Sequence, residues 1–142
     1  MSRQSWNRYF LALAQQASTR STCLRKEVGC IIVKDKAIVA TGYNGSLPGE
    51  PHCTTHGCFI QDNHCIRTIH AETNAINQAA KNGISLKNAT IYCNVEPCWS
   101  CYKNIIASGI NSIYYTQPYG NKPHLHQECL IKNLTSYHLI EE

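Results

Sequence analysis

The stretch His-Ala-Glu at residues 70–72 organises the chain, and it acquires a meaning together with a distant segment, Pro-Cys-Trp-Ser-Cys at residues 97–101. A histidine and two thiolates give a zinc ion three protein ligands and leave a fourth position open for water. Glu72 is close enough to the histidine to handle the protons of that water, whereas a structural zinc site has no use for a carboxylate there. The two segments predict a catalytic zinc centre with His70, Cys98 and Cys101 as ligands.

Both segments stand where a helix is predicted to begin. One helix runs from residue 68 or 69 to about residue 82, with Gly83 at its C′ position. The other has Pro97 in its first turn and ends before residue 109. Two cysteines three positions apart on a first turn point to one side, where the helix dipole favours thiolates. Open α/β sheets place ligand sites at such strand-to-helix ends, so the helix starts support the zinc centre.

The spacing of apolar residues predicts the remaining elements. Trp6, Phe10, Leu13 and Ala17 form the apolar face of a first helix over residues 5–18, with Ser5 as N-cap. Strands are predicted at residues 28–33, 37–41, 89–95, 113–116 and 136–140, the first two as a hairpin, and a further helix at residues 125–133. Strands alternating with helices predict a single α/β domain with a three-layer α/β/α arrangement around a five-stranded mixed sheet.

The segment from residue 42 to residue 66 has little periodicity and is rich in metal-ligating side chains. Gly-Tyr-Asn-Gly at residues 42–45 ends the second strand with turn chemistry. The segment then carries three histidines and three cysteines: His52, Cys53, His56, Cys58, His64 and Cys65. A long loop without secondary structure is usually functional or held in place by something.

The cysteine count bears on this loop. Of nine cysteines, two serve the catalytic ion, and Cys30, Cys93 and Cys129 lie in predicted strands or a helix. The four that remain lie in irregular segments: Cys23, Cys53, Cys58 and Cys65. Thiols gathered in loops are better explained by a second, structural zinc ion than by a core that the loops lack. Metal-free cysteines are the alternative.

The distribution of charge favours a small anionic ligand. The net charge is +4, but the basic residues are scattered except for Arg20, Arg25 and Lys26, and a nucleic-acid partner would need a continuous basic stripe. Arg25 and Lys26 are candidates for holding a phosphate, with solvated loop charges as the alternative. No apolar run of about 18 residues and no signal peptide is recognised. The sequence therefore predicts a cytoplasmic protein, bound neither to membrane nor to nucleic acid, with reduced cysteines.

Several stretches together carry a family resemblance. They are Ser-Thr-Cys-Leu-Arg at 21–25, Val-Gly at 28–29, Gly-Tyr-Asn-Gly at 42–45, His-Cys-Ile-Arg-Thr-Ile-His-Ala-Glu at 64–72, and the segment from Pro97 to Tyr115. The chain resembles the deoxycytidylate (dCMP) deaminases, and His-x-Glu with Pro-Cys-x-x-Cys is the signature of zinc nucleobase deaminases. The resemblance implies a cytidine deaminase-like fold and zinc-dependent hydrolysis of dCMP to dUMP for pyrimidine deoxynucleotide biosynthesis. Glu72 would carry the proton from water to the ring nitrogen and assist the departing ammonia.

The resemblance also implies substrate and metal contacts. Asn44 matches the family asparagine that binds the deoxyribose hydroxyl, a role compatible with a left-handed turn residue, and Ala71 is assigned to substrate binding. Tyr115 is a candidate wall for the base, with burial in the core as the alternative. Ligands of a second zinc in the family match Cys23 and Cys53, and His56 or His64 are substitutes for the other two cysteines.

Regulation is implied by the resemblance in the same way. The family pattern predicts a homohexamer that dCTP activates and dTTP inhibits, with Mg²⁺ accompanying the triphosphate. The effector is expected at Gly42, Tyr43 and Gly45, because glycines allow close approach of the backbone to phosphates. Glu50-Pro51 lies where the regulatory loop of the family runs, so regulation is less directly implied than catalysis.

Three kinds of alternative stay open. A deaminase of the same fold would act on dCTP, a free nucleoside, guanine or tRNA adenosine, although a free nucleoside has no phosphate for Arg25 to bind. A non-catalytic zinc module would bind nucleic acid or protein, but it has no reason for Glu72. The Cys-x-x-Cys segment alone would also suit a structural zinc or a redox pair.

Overall fold

The computed structural model describes residues 2–23, 25–120 and 136–140. Within these ranges the order of elements is α1 (Trp6–Ser18), β1 (Gly29–Lys34), β2 (Ala37–Tyr43), β3 (Gly45–Ser46), α2 (Cys53–His56), β4 (Ile60–Gln61), β5 (His64–Cys65), β6 (Thr68–Ile69), α3 (Ala71–Lys81), β7 (Thr90–Val95), α4 (Trp99–Ala107), β8 (Ser112–Gln117) and β9 (Ser136–Leu139). The helix predicted at residues 125–133, with Cys129, lies outside the described residues. None of the described helices has the length and apolar character needed to cross a membrane.

The main sheet has five strands in the order β2-β1-β7-β8-β9. Strand β1 is antiparallel to both β2 and β7, whereas β7, β8 and β9 are parallel to one another. Asp35 and Lys36 form the turn between β1 and β2, and both have positive φ angles, of 50° and 67°, as a two-residue hairpin turn with the right-handed twist of the strands requires. The prediction of a five-stranded mixed sheet that opens with a hairpin is confirmed.

Helices cover both faces of this sheet. Side chains alternate between the two faces along each strand, and both sets are apolar, so each face packs against a helix. On one face, Ile31, Val33 and Tyr92 pack against Phe10 and Ala14 of α1. On the other face, side chains from β1, β7 and β8 pack against α3 and α4; they include Cys30, Ile32, Ile91, Cys93, Ile113, Ala75 and Ile105. The predicted three-layer arrangement is therefore present.

The predicted apolar face of α1 is partly wrong. The helix begins as predicted, since the Arg8 N–H donates to the Ser5 hydroxyl at 3.2 Å. However, the buried residues are Phe10, Leu11, Ala14 and Ser18, and Trp6 is 48% exposed. Spacings of three and four fit two adjacent stripes of a helix equally well. The stripe that contains Ala14 is the buried one, because α1 packs so closely on β1 at this point that a Cβ at Gly29 would collide with the carbonyl oxygen of Ala14.

Residues 42–45 are extended and do not form the predicted turn. Strand β2 continues through Tyr43, and Gly45 already belongs to β3, which pairs with β6. Gly42 is needed for packing, since a Cβ there would lie 2.6 Å from the backbone nitrogen of Ala75 in α3. The following loop is also more ordered than predicted: it contains the one-turn helix α2 and the short hairpin β4–β5.

Both helices of the predicted zinc centre begin later than expected. Thr68 and Ile69 form β6, and His70 is the N-cap of α3; likewise, Cys98 is the N-cap of α4, so Pro97 precedes that helix. The predicted end of α3 is confirmed, with Asn82 as C-cap and Gly83 at a φ angle of 67°. Pairing of Thr68 and Ile69 with β3 is the interaction that delays the start of α3.

Candidate active site

The starts of α3 and α4 bring the predicted zinc ligands together. The Nδ1 atom of His70 lies 3.3 Å from the Sγ atom of Cys101 and 3.7 Å from that of Cys98, and the three ligand atoms all lie within 4.8 Å of one another. Bond lengths of about 2.0 Å to nitrogen and 2.3 Å to sulfur place the donors of a tetrahedral zinc ion about 3.5 to 3.8 Å apart. One nitrogen and two sulfurs at these separations fit a zinc ion with an open fourth position.

The electrostatics of Cys98 also suit a metal, whereas the hydrogen bond with Cys98 raises the pKa of the Cys101 thiol well above its usual range. Hydrogen bonds from Cys101 and from His70 lower the pKa of the Cys98 thiol to about 3, against the effect of burial. The hydrogen bond to Cys98 in turn raises the pKa of His70. Because metals bind the thiolate form of cysteine, Cys98 is prepared as a ligand at neutral pH.

Glu72 lies in the first turn of α3, buried beside the ligand group. Burial is the largest cause that raises the pKa of its carboxyl from 4.5 to about 7. Beneath it, the buried thiols of Cys30 and Cys93 are 3.3 Å apart across β1 and β7. A carboxyl group with a pKa near neutrality can both accept and donate a proton at physiological pH, as general acid–base catalysis requires.

A cavity of about 400 Å³ opens over these residues. Its lining includes most of the predicted site: Arg25, Lys26, Asn44, His70, Ala71, Glu72 and Cys98. Pairing of Gly45 with Ile69 sets the neighbouring residues Asn44 and His70 across from each other. The structure thus brings the candidate phosphate ligands, the candidate sugar ligand and the zinc centre to one cavity of a size typical for small-molecule sites.

Asn44 organises the wall of this cavity. Its Oδ1 atom accepts a hydrogen bond from the Val28 N–H at 2.9 Å, and its Nδ2 atom donates to the Lys26 carbonyl at 2.7 Å. Asn44 is not among the residues with positive φ angles, so the alternative role named for it, a left-handed turn residue, does not apply. The extended backbone of β2 continues up to it, and its side chain holds residues 26–28 at the cavity.

Tyr115 does not line the cavity. It is buried in the core with Cys93, its partner across β7 and β8, and with Ile113. Its prediction as a wall for the base is wrong, because Tyr115 and Ile113 are two apart on a strand and share its core-facing side. Tyr119, just beyond β8, lines the cavity instead, together with the buried Glu96. Neither Tyr119 nor Glu96 was predicted from the sequence. The one available signal was that the charged Glu96 directly follows a largely apolar strand.

The four loop cysteines assemble into a second thiol cluster. The Sγ atoms of Cys23, Cys53 and Cys58 lie within 4.8 Å of one another, and the Sγ atom of Cys65 lies 3.6 Å from that of Cys53. Burial raises the pKa of Cys65, but hydrogen bonds from the Arg67 and Phe59 backbone and from the Cys53 and Cys58 thiols together outweigh it, and its pKa falls to about 7. Burial raises the pKa of Cys53 to about 12. Thiols are the usual donors of structural zinc sites, and Cys65 joins the group of three through its contact with Cys53.

The two histidines named as substitutes lie outside this cluster. His56 is exposed, with its Nδ1 atom 2.9 Å from the Thr55 hydroxyl, and His64 lines the active-site cavity. Neither belongs to the group of Cys23, Cys53 and Cys58. The cluster therefore consists of thiols: three in one group, with Cys65 beside Cys53.

The residues expected to bind an effector are differently placed. Gly42 and Gly45 are buried, and the side of Gly42 that lacks a Cβ faces the backbone of α3. The Tyr43 carbonyl accepts a hydrogen bond from the Asn74 side chain at 2.8 Å. The reason given for an effector at Gly42 is wrong, because the space left by its missing side chain is filled by the backbone of α3 and not by a phosphate.

Comparisons with known proteins agree with this geometry. Residues 4–117 match the family described as the cytidine and deoxycytidylate deaminase zinc-binding region. ComE operon protein 2 of Bacillus subtilis is 48% identical over 124 residues, which cover 87% of this chain and 66% of that protein. Deoxycytidylate deaminase of Saccharomyces cerevisiae is 37% identical over 123 residues, 82% of this chain and 39% of the yeast protein. The chain thus spans less than two thirds of the length of these relatives.

A solved structure is similar over the whole chain. The dCMP deaminase of the cyanophage S-TIM5, crystallised in complex with dCMP and dUMP, superimposes with a TM-score of 0.82 at 27% sequence identity. The match covers 99% of this chain and 100% of the phage chain. The α/β fold predicted from the sequence is therefore the fold of that structure.

Proposed function

Because the chain belongs to the family of cytidine and deoxycytidylate deaminases, we propose that it catalyses the hydrolytic deamination of dCMP to dUMP. The observation that carries the proposal is the position of Glu72, buried beside His70, Cys98 and Cys101 and lining the same cavity as Arg25 and Lys26. The relative in yeast and the similar phage structure both carry the name of this activity.

His70, Cys98 and Cys101 would hold the zinc ion. A zinc ion bound there supplies a Lewis acid and lowers the pKa of a coordinated water to about 7. Glu72 accepts a proton from the attacking water and donates it to the ring nitrogen of cytosine. The carboxylate then takes the second proton from the new hydroxyl on the ring carbon and passes it to the amino group; the C–N bond breaks, and ammonia leaves. Burial of Glu72 suits this cycle, since its raised pKa brings the proton affinity of the carboxylate close to that of the coordinated water from which it takes the proton.

The cavity supports a phosphorylated substrate. Arg25 and Lys26 line it, and Arg25 is held by a hydrogen bond from its guanidinium to the carbonyl of Asn63, at 3.3 Å. Asn44 contributes the sugar-binding wall, because an amide side chain has one further donor and acceptor position besides those it uses for residues 26 and 28. The positive charges of Arg25 and Lys26 would attract the phosphate of a monophosphate, which a nucleoside lacks.

Parallel assays of ammonia release test the proposed activity. The zinc-loaded protein is given dCMP, dCTP and deoxycytidine at equal concentrations, and the expected order of kcat/KM places dCMP first. A higher kcat/KM for dCTP would establish the alternative, a deaminase of the triphosphate. No ammonia from any of the three would contradict the proposal.

The second thiol cluster would hold a structural zinc ion. Cys53 is fully buried in a segment with little apolar core around it, and α2 and the β4–β5 hairpin meet at the cluster. A metal bound by Cys23, Cys53, Cys58 and Cys65 would attach the segment of α2, β4 and β5 to the loop between α1 and β1. It would thereby hold His64, which lines the cavity, in place.

Regulation extends the same proposal. A homohexamer, activated by dCTP with Mg²⁺ and inhibited by dTTP, follows from the resemblance to dCMP deaminases. Residues around Gly45 and Tyr43 are adjacent to Asn44 and so to the cavity. Saturation curves for dCMP test this proposal: dCTP should change them from sigmoidal toward hyperbolic and dTTP should oppose the change. Curves that neither nucleotide alters, measured on an oligomeric preparation, would contradict it.

A further inference from the structure

Glu96 is a buried carboxylate that the proposed chemistry does not use. It is 1% exposed and follows β7, directly before Pro97 and the ligand Cys98. Glu72 and Glu96 are the two buried carboxylates among residues 2–23, 25–120 and 136–140. A carboxylate is costly to remove from water unless hydrogen bonds replace the water. The position of Glu96 therefore needs an explanation in what it binds.

Its contacts lead to the segment after β8. The backbone N–H of Glu96 donates to the carbonyl of Gln117 at 2.8 Å, and the Tyr119 N–H donates to the Glu96 Oε1 atom at 2.9 Å. One residue thus holds both the end of β8 and the backbone two positions beyond it. A hydrogen bond from a backbone N–H to a carboxylate is one of the stronger kinds, because the acceptor is charged.

The side chain of Tyr119 faces a cation that the proposed function requires. The Lys26 ammonium lies over the Tyr119 ring, 5.2 Å from its centroid, within the distance for attraction between a cation and an aromatic face. Glu96, Tyr119 and Lys26 all line the active-site cavity. The Lys26 ammonium thus contacts the Tyr119 ring, and the backbone that carries this ring is hydrogen-bonded to Glu96.

We infer that Glu96 is a positioning residue for nucleotide binding: its carboxylate holds the Tyr119 backbone so that the ring keeps the Lys26 ammonium at the nucleotide. The inference rests on the proposed function and adds to it a specific residue outside the metal centre. Only the acceptor oxygen of Glu96 is used for Tyr119. An amide in its place retains that oxygen, whereas a methyl group does not.

Four variants test this inference: Glu96→Gln, Glu96→Ala, Tyr119→Ala and the double variant Glu96→Ala/Tyr119→Ala. For each, the dissociation constant of dUMP is measured by calorimetry, beside zinc content, thermal unfolding, and KM and kcat for dCMP. Glu50→Ala is the matched control, because Glu50 is exposed and lies outside the cavity lining.

Glu96→Ala and Tyr119→Ala should each weaken dUMP binding and raise KM about three- to tenfold, the effect of one lost hydrogen bond or cation–ring contact. The zinc content and kcat should stay within about twofold of wild type, and Glu96→Gln should bind as wild type does. The double variant should bind no more weakly than Tyr119→Ala, since Glu96 acts through the ring.

The inference is overturned if Glu96→Ala leaves dUMP binding unchanged, if Glu96→Gln impairs binding as much as Glu96→Ala, or if the two effects add in full. Should Glu96→Ala fail to fold or lose zinc, unchanged dUMP binding by Tyr119→Ala overturns it instead. The wild type is measured first: if it neither deaminates dCMP nor binds dUMP, the proposed function fails and the inference fails with it. An active wild type with unaffected variants counts against the inference alone.

Discussion

His70 and Cys98 occupy the same position in two different helices, since each is the N-cap residue, of α3 and of α4. An N-cap side chain commonly accepts a hydrogen bond from the first turn of its own helix, but neither of these side chains does so. Instead, the His70 Nδ1 and Cys98 Sγ atoms lie 3.7 Å apart. Two helix starts that are 28 residues apart in sequence thus turn toward one point, where the zinc ion is proposed to bind.

The first prediction concerns the ligand Cys98. Cys98→Ala should lose the catalytic zinc ion and all ammonia release from dCMP, because a histidine and one thiolate leave too few protein ligands. Metal analysis of the purified variant, beside Cys30→Ser as a control thiol in the sheet, measures the loss. Full zinc occupancy of the catalytic centre in Cys98→Ala would be incompatible with the proposed ligand set.

The second prediction concerns the loop thiols. Freshly purified wild type should contain two zinc ions per chain, and Cys53→Ser should contain one, with a lower unfolding temperature because α2 and the β4–β5 hairpin lose their common attachment. Cys30→Ser should still contain two, since Cys30 lies in the sheet core. A single zinc ion in a fully active wild type would show that this cluster is metal-free.

The third prediction concerns recognition of the phosphate. Arg25→Ala should raise KM for dCMP by about tenfold while kcat changes less, the pattern of lost uniform binding. KM for deoxycytidine should not change, because that substrate lacks the phosphate. Arg20→Ala serves as the control, since Arg20 is exposed and lies outside the cavity lining. If Arg25→Ala raises both KM values equally, Arg25 supports the cavity wall and not the phosphate.

The fourth prediction concerns pH and the zinc-free protein. Burial raises the pKa of Glu72 from 4.5 to about 7, so the folded chain binds this proton more tightly than the unfolded chain. The free energy of unfolding therefore falls as pH rises from about 4.5 and levels off above about 7. Because Glu72→Gln removes this titration, its stability relative to wild type should grow by up to about 3 kcal/mol between pH 5 and pH 8. Denaturant unfolding at both pH values measures the difference; a constant difference would contradict the raised pKa.

The grouping of His70, Cys98 and Cys101 was predictable because its signal is local. The residue types and spacing at 70–72 and 97–101 indicate three side chains that the structure brings together, although both helices begin later than predicted. The same holds for the β1–β2 hairpin, whose two-residue turn separates two apolar runs. Residue-level predictions succeeded where neighbours along the chain determine the structure.

The predictions that failed depend on contacts between distant segments. Gly42 was predicted to be a turn residue, whereas it lies in β2 and its missing side chain allows the backbone of α3 to pack closely against the strand. Tyr119 lies at the cavity because β8 ends before it and because the Glu96 carboxylate accepts a hydrogen bond from its N–H. Neither the packing of a helix on a strand nor the partner of a buried carboxylate is encoded in local spacing.

The central claim is that Glu72 carries protons at a zinc centre that deaminates dCMP. Its most direct test is the rate of ammonia release from saturating dCMP by zinc-loaded Glu72→Gln, compared with wild type at equal zinc content. The amide keeps the shape of the side chain but cannot accept the proton, so we expect kcat to fall by at least about 100-fold while the zinc content and unfolding temperature of the loaded protein are retained. A variant with its zinc in place and a kcat within tenfold of wild type would contradict the account.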